Sequence, residues 1–284
     1  MAGTQEHMME VEEGWAVIQQ GIHKLIQLIE GHQTLSFTSQ DYMNYYSCPF
    51  VYSAVYNMCK HNPTGRICEV LYEEYNKVFK DYNNGRVLPC LQGKKGKALV
   101  KETERRWSDH KVMTRWLVRF FHYLDRYFVP KRKVPPLQES ALLCFYDLVF
   151  GEFSDQIRDA VLSLIDRERE GEDIDRALVK NIVSINVDVG QGSMEHYERD
   201  FEEAMFKATA AFYSTKAHSW IKNESYNDYM LKVECCLEHE RETVSCYLQN
   251  TGQKKLLEIV EYELISVYET ELKEKKQVDE SLGG

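Results

Sequence analysis

Residues 164–183 read LIDREREGEDIDRALVKNIV and contain two amphipathic patterns separated by one glycine. Apolar residues recur every three or four positions on both sides of Gly171, and glycine is typical of the position that follows a helix end. Ile174, Leu178 and Ile182 form the apolar face of the second segment. The stretch therefore predicts two consecutive amphipathic helices joined by a tight turn.

The same spacing of three and four continues along the rest of the chain. Apolar residues between 11 and 29 form one stripe that ends at Gly31, and residues 111–129 are apolar enough to be buried on several sides. No segment alternates apolar and polar residues convincingly, as a half-buried strand does. We count about eleven helices on this basis, and the predicted fold class is all-α.

Prolines and glycines mark where the helical pattern stops and starts again. Pro130 and the proline pair at 135–136 are predicted to end the helix that precedes them. A helix is then expected over residues 137–150, with Ser154 capping the next one. Another restart follows residues 251–252. These restarts favour a stack of helical repeats, a solenoid-like rod, over one irregular bundle.

The composition indicates a folded protein with an acidic surface. The chain has 284 residues, 43% of them apolar, and a formal charge of −10, which disfavours nucleic acid or an anionic membrane as the main partner. Short basic runs at 94–97 and 131–133 are interpreted as solvated loop charge. No apolar run approaches the roughly 18 residues that cross a bilayer. Without a recognisable export leader, we expect a cytoplasmic or nuclear protein whose eight cysteines are reduced and mostly buried.

The sequence shows no constellation of catalytic or metal-binding residues. Residues 93–97, GKKGK, lack the spacing and the hydroxyl of a phosphate-binding loop. Cys235, Cys236 and His239 have no second ligand cluster, so we expect packed thiols and a solvated histidine. The charged run at 166–175 predicts surface ion pairs. We therefore expect a non-catalytic contact protein with no cofactor and no metal.

Tyrosines crowd one segment of the N-terminal third of the chain. Tyrosine suits protein interfaces because its ring supplies contact area while its hydroxyl stays hydrated. The segment indicates either a contact surface or a tyrosine-rich helix packed in its own bundle, and its composition leaves both readings open. Its tyrosines are Tyr42, Tyr45, Tyr46, Tyr52 and Tyr56.

Several motifs, taken together, resemble the cullin family, in the form carried by the cullin of SCF ubiquitin ligases. Residues 164–183 resemble the family's second-repeat signature. FYSTKAHSWI at 212–221, DYMLKVECCLEHERETVSCYL at 228–248 and RWSDHKVMTRWLVRFFHYLDRYFV at 106–129 are similar to the family in order and spacing. The resemblance implies tandem five-helix cullin repeats stacked into a rod. It assigns residues 1–150 to the first repeat, 151–250 to the second and 251–284 to the opening helix of a third.

The resemblance also implies a partner. In the family, the second and fifth helices of the first repeat bind a Skp-type adaptor, which carries an F-box protein. The positions that match this contact are Tyr42, Met43, Tyr46, Tyr123 and Arg126. The chain is expected to be truncated before the family's RING-binding domain, so no RING subunit is expected to bind and the chain would compete for adaptor. The alternative is an adaptor-dead relic, or a helical rod reused for another partner.

Two further expectations concern departures from the family and the end of the chain. Residues 48–53, CPFVYS, look inserted, and Pro49 inside a helix would cost roughly 3 kcal/mol. The adaptor-binding helix is therefore expected to kink or to restart near Ser47. At the other end, exposure of an apolar stripe would favour self-association. That stripe consists of Leu256, Val260, Leu264 and Val267.

Overall fold

The computed structural model describes residues 2–31, 49–60, 65–248 and 250–282, and these residues are almost entirely helical. They contain no β-strand, which confirms the all-α prediction. The helices are α1 (Ala2–Gly31), α2 (Pro49–Cys59), α3 (Arg66–Tyr82), α4 (Leu88–Leu91), α5 (Gly96–Phe120), α6 (His122–Tyr127), α7 (Val129–Arg132), α8 (Leu137–Phe145), α9 (Gly151–Arg169), α10 (Arg176–Gly190), α11 (Glu195–Tyr197), α12 (Glu203–Asn223), α13 (Tyr226–Tyr247), α14 (Asn250–Glu261) and α15 (Glu269–Leu282).

Short π-helical turns continue some of these helices into their neighbours. The turn Tyr146–Phe150 links α8 directly to α9, so residues 137–169 are helical throughout. The expectation that Ser154 caps a new helix is therefore wrong, because Ser154 lies inside this continuous segment. Further π turns span Asn83–Val87, Glu198–Glu202 and Tyr262–Ser266.

Pro130 does not end a helix, contrary to the sequence prediction. It lies in the first turn of α7, where a missing backbone N–H costs little because that group has no partner within the helix. The helical run is interrupted at Phe121, between α5 and α6, and again at Phe128, between α6 and α7. The helical run ends instead at Lys133, which adopts a left-handed conformation with φ of 55°.

The chain divides into two compact units. Unit 1 comprises residues 1–92 and 105–152, and unit 2 comprises residues 93–104 and 153–284.

In unit 1, α1 and α2 approach closely because two glycines of α1 face α2. A Cβ atom added at Gly21 would lie 2.7 Å from Cγ2 of Val51, and one added at Gly14 would lie 2.8 Å from Sδ of Met58. Val51 itself is fully buried. The absence of a side chain at these two positions therefore sets the separation of the helices.

The centre of unit 1 is a cluster of aromatic rings around His110. This histidine is fully buried, stacked on Trp107 and packed against Phe79 and Phe145 with ring centroids about 5 Å apart. Its Nε2 atom lies 2.8 Å from the carbonyl oxygen of Ala141. Because burial disfavours the charged imidazolium, the pKa of His110 falls to about 4.

A buried arginine joins three helices of unit 1. The guanidinium of Arg106 donates to Oε1 of Glu30 at 2.7 Å, and the hydroxyl of Tyr82 donates to the same carboxylate at 2.8 Å. Arg106 is 3% exposed, so its charge depends on this partner rather than on water. The contact connects the end of α1 to α3 and α5.

In unit 2, the charged run at 166–175 is only partly on the surface. Arg167 and Glu172 form the exposed ion pair that the sequence predicted. Arg169, however, is buried with its side chain 2% exposed, and Nε donates to Glu240 at 2.7 Å. Glu168 is buried as well. The prediction of surface pairs is wrong for these two residues, because α9 turns this side towards α12 and α13.

Most of the apolar stripe on the last helices of unit 2 is buried. Leu256, Val260 and Leu264 are fully buried, whereas Val267 is 45% exposed. The stripe is therefore not available as a continuous surface for self-association. Its burial results from contacts of α14 and the following π turn with α12 and α13.

The glycine contacts predict opposite effects for two alanine substitutions in α1. Gly21→Ala gains about 1 kcal/mol of helix propensity but forces a methyl group against the stiff, β-branched Val51, so a net loss of about 1–2 kcal/mol is expected. Gly14→Ala meets the flexible end of Met58 and should be neutral or stabilising. Urea unfolding followed by tryptophan fluorescence measures both. Equal stability of the two variants would contradict the packing described here.

Because His110 is buried and neutral, we expect the protein to lose stability in mild acid. Its folded pKa of about 4 lies below the ordinary value of 6.5, so the unfolded state takes up a proton first as pH falls. The contribution of neutral His110 to the free energy of unfolding is fully present above pH 6.5 and is lost progressively towards pH 4. Between pH 7 and pH 5 the loss is about 2 kcal/mol. We expect His110→Gln to remove this part of the pH dependence in urea unfolding, whereas the exposed His122→Gln control should retain it.

Candidate interaction surface

The structure describes two of the five predicted contact residues. Tyr42, Met43 and Tyr46 lie outside the described residues. Tyr123 and Arg126 both lie on α6, which packs against α2 in unit 1. α2 and α6 therefore form the described part of the candidate site.

Residues 49–53, part of the stretch that looks inserted in the sequence, form the beginning of α2. The helix starts at Pro49, a position where proline is well tolerated. Ser47, near which a kink or restart is expected, lies outside the described residues. Val51 is fully buried against Gly21, while Tyr52 on the next position is 42% exposed. The insertion thus supplies both a core residue and a surface ring, and its deletion would remove a core contact.

Tyr123 is a packing residue beneath the surface. Its side chain is 5% exposed, and its hydroxyl points to the carbonyl oxygen of Cys59 at 3.4 Å. Tyr56 packs edge to face on its ring at a centroid distance of 5.6 Å, and Tyr127 lies 4.7 Å away. Burial raises the pKa of Tyr123. Tyr123 therefore supports the neighbouring rings and presents little area of its own.

The two rings that pack on Tyr123 reach solvent: Tyr56 is 44% and Tyr127 is 38% exposed. Tyr52, four residues before Tyr56 on α2, is 42% exposed. Arg126 is also exposed, and its guanidinium lies 5.4 Å from the centroid of the Tyr127 ring. We call these four residues the tyrosine surface. It combines aromatic area with one fixed positive charge, a composition that suits recognition of another protein.

Sequence reasoning missed Tyr127 as a candidate. The signal was present, because Tyr127 follows Tyr123 by four residues and such pairs share one face of a helix. What the spacing could not show is which of the two rings is buried. The structure assigns the buried position to Tyr123 and the exposed position to Tyr127.

Within the described part of the chain, no group of three or more His, Cys, Asp or Glu side chains is arranged to hold a metal ion. Cys59 and Cys68 are buried, but Cys235 is exposed, so the expectation of a packed thiol is wrong there. α13 turns this side, including Leu231, towards solvent. His239 is half-buried rather than solvated.

Among the described helices, none is long and apolar enough to span a membrane.

The chain matches one protein family over most of its length. Residues 15–283 match the family described as the Cullin alpha solenoid domain. This match confirms both the resemblance seen in the sequence and the helical-repeat fold class.

Curated relatives agree with the family match. Cullin-1 of Oryza sativa subsp. japonica is 46% identical over 276 residues, which cover 97% of this chain and 36% of the relative. Putative cullin-like protein 2 of Arabidopsis thaliana is 43% identical, with 92% of this chain and 68% of the relative covered. Cullin-like protein 3 of Arabidopsis thaliana is 40% identical, with 91% and 97% covered. The chain thus spans about a third of the rice protein but nearly all of Cullin-like protein 3.

Substitutions on α6 test the division between supporting and exposed rings. Tyr123→Ala should lower the free energy of unfolding by about 3–5 kcal/mol because it leaves a cavity. Tyr123→Phe should cost less than about 1 kcal/mol, since it removes only a long hydrogen bond. Tyr127→Ala, at a half-exposed position, serves as the control and should cost much less than Tyr123→Ala. Urea unfolding measures the free energy of unfolding of the three variants. Equal losses for Tyr123→Ala and Tyr127→Ala would refute the assignment of Tyr123 to the buried position and Tyr127 to the exposed one.

Proposed function

Since this chain belongs to the cullin family, a family of ubiquitin-ligase scaffolds, we propose that it is a non-catalytic scaffold that binds a Skp-type adaptor through the tyrosine surface. The adaptor in turn carries an F-box protein, so the chain acts in ubiquitin-dependent protein degradation of the SCF type. The site of action on this proposal is the cytoplasm or the nucleus.

The observation that carries the proposal is the arrangement of rings on α2 and α6. Tyr52 and Tyr56 project from α2, Tyr127 projects from α6, and all of them are exposed although the rings are large and partly apolar. Such rings contribute binding energy when a partner removes them from water. The resemblance points to α6 as well, because Tyr123 and Arg126 match the family's fifth-helix contacts. Its second-helix matches, Tyr42, Met43 and Tyr46, lie outside the described residues. Exposure and resemblance therefore both favour α6 as part of the surface.

Tyr123 has an indirect role in this proposal. Because it is buried between Tyr56 and Tyr127, it holds these rings in place rather than contacting the adaptor over a large area. Arg126 adds an exposed charge at the edge of the surface, where charges affect specificity and association rate more than affinity.

We further propose that these 284 residues, acting as an isolated chain, compete with a full-length cullin for the adaptor. Binding of a RING subunit is not part of the proposal. A preformed complex of adaptor and full-length cullin should lose cullin when this chain is added in excess, as measured by size-exclusion chromatography.

The second candidate is a helical interaction protein that binds a partner other than a Skp-type adaptor. The burial of Tyr123 favours it, because one of the predicted adaptor contacts offers almost no surface. On this alternative the tyrosine surface still binds protein, but the partner differs. A folded chain that fails to bind the adaptor would support it.

The adaptor proposal predicts a specific effect of Tyr56→Ala. Titration of the purified chain with a Skp-type adaptor bound to an F-box protein should give saturable heat by calorimetry. Tyr56→Ala should weaken binding at least about tenfold, because truncation of an interface tyrosine typically costs that much. The control is Tyr262→Ala, which removes an even more exposed ring from unit 2 and should leave the affinity unchanged. Equal effects of the two variants, or no binding by the folded wild-type chain, would refute the proposal.

A further inference from the structure

A second surface of unit 1 is distinguished by its charge. All of residues 111–133 are described, and every exposed position among them is basic or histidine, apart from Tyr127 and Pro130. The exposed residues are Lys111, Arg115 and Arg119 on α5, His122 and Arg126 on α6, and the KRK sequence at 131–133. We call this set the basic ridge. The interpretation of 131–133 as solvated loop charge considered this short run without the cations on α5.

The cations of the ridge follow one face of α5. Lys111, Arg115 and Arg119 are spaced by four residues, so their side chains lie about 6 Å apart along the helix axis. No exposed acid interrupts residues 111–133, since Asp125 is half-buried and accepts a hydrogen bond from the backbone N–H of Leu137 at 2.9 Å. A weak ion pair joins Arg132 to Glu69 at 4.0 Å with both side chains exposed. Among residues 111–133, the exposed side chains that carry a charge are therefore all basic.

Aromatic rings hold several of these cations in place. The charged group of Lys111 lies 5.7 Å from the Trp107 ring and that of Arg119 lies 5.2 Å from the Trp116 ring. Arg132 lies 5.9 Å from the Phe128 ring in the same manner. Cation–π contacts of this kind restrict the side chains before a partner arrives. Less conformational entropy is then lost on binding than for freely moving surface lysines.

We propose that the basic ridge binds an acidic, Asp- and Glu-rich segment of a partner protein. The chain has a net charge of −10, so a long polyanion would be repelled by the remainder of the molecule, whereas a short acidic segment can lie on the ridge alone. The spacing of about 6 Å on α5 is close to that of carboxylates on alternate residues of an extended peptide or at every fourth residue of a helix.

The chemistry of the ridge favours a protein over other anions. The rings under the cations are buried, with Trp107 2%, Trp116 6% and Phe128 2% exposed, so they cannot stack on nucleic acid bases. Apart from Tyr127 and Pro130, its exposed residues offer no apolar side chain to insert into a lipid layer. Carboxylates accept hydrogen bonds from arginine in bidentate geometry. Their binding requires neither exposed rings for stacking nor apolar side chains for insertion. The inference does not depend on adaptor binding, although Arg126 belongs to both surfaces.

The test compares two charge reversals of equal size. The probe is a fluorescein-labelled peptide of about twelve glutamates, and binding is measured by fluorescence anisotropy at about 50 mM salt, where screening is weak. Wild-type chain should bind saturably, and the affinity should fall as salt is added. Arg115→Glu combined with Lys131→Glu should weaken binding at least about tenfold. Lys95→Glu combined with Lys97→Glu, an identical charge change at exposed positions outside the ridge, should have less than about a twofold effect.

The following results would contradict the binding of an acidic segment to the basic ridge. Equal losses in the two double variants would show that only net charge matters, and absence of saturable binding by the wild-type chain would show that the ridge has no such function. Tighter binding of an oligouridine of similar length, or of phosphatidylserine vesicles, would assign the ridge to nucleic acid or membrane instead. Circular dichroism of both variants verifies folding. Tyr56→Ala should retain peptide binding, so failure of the adaptor proposal and failure of this one are distinguishable.

Discussion

The contact between Val51 of α2 and Gly21 of α1 determines how α2 is rotated, and the tyrosine surface depends on that rotation. Val51, Val55 and Met58 are separated by four and three residues, so they occupy one face of α2 and are buried together. Tyr52 and Tyr56 then necessarily lie on a more exposed face. A side chain at Gly21 would separate the helices or turn α2, and either change would move both rings.

In unit 2, buried charged side chains fix how α9, α12 and α13 lie against one another. Arg169 of α9 donates to Glu240 of α13, to Thr209 of α12 at 2.7 Å and to Asp166 of its own helix at 2.9 Å. Tyr213 donates to the same oxygen of Glu240 at 2.7 Å. A buried charge without such partners would be costly, so sliding any of these helices is strongly disfavoured. A fixed arrangement of helices is what a scaffold requires.

The tyrosine surface and the basic ridge meet on α6 and offer different physical contributions to binding. Aromatic rings contribute affinity at short range, because they lose contact with water only when a partner is in place. If the ridge binds an acidic segment as proposed, it acts at longer range, since charges attract a partner before contact and accelerate association. Arg126, which belongs to both, lies against the ring of Tyr127 and so joins the two surfaces.

The sequence by itself determined that the chain is helical, because the spacing of apolar residues and the glycine stops at Gly31 and Gly171 are local properties. Its motifs also determined the family. Only the tertiary structure decided that Tyr123 is buried while Tyr127 is exposed, that the side chain of Arg169 is buried, and that the stripe from Leu256 to Leu264 is covered. Burial at these positions depends on helices distant in sequence, and a local pattern does not specify which neighbour a helix face will meet.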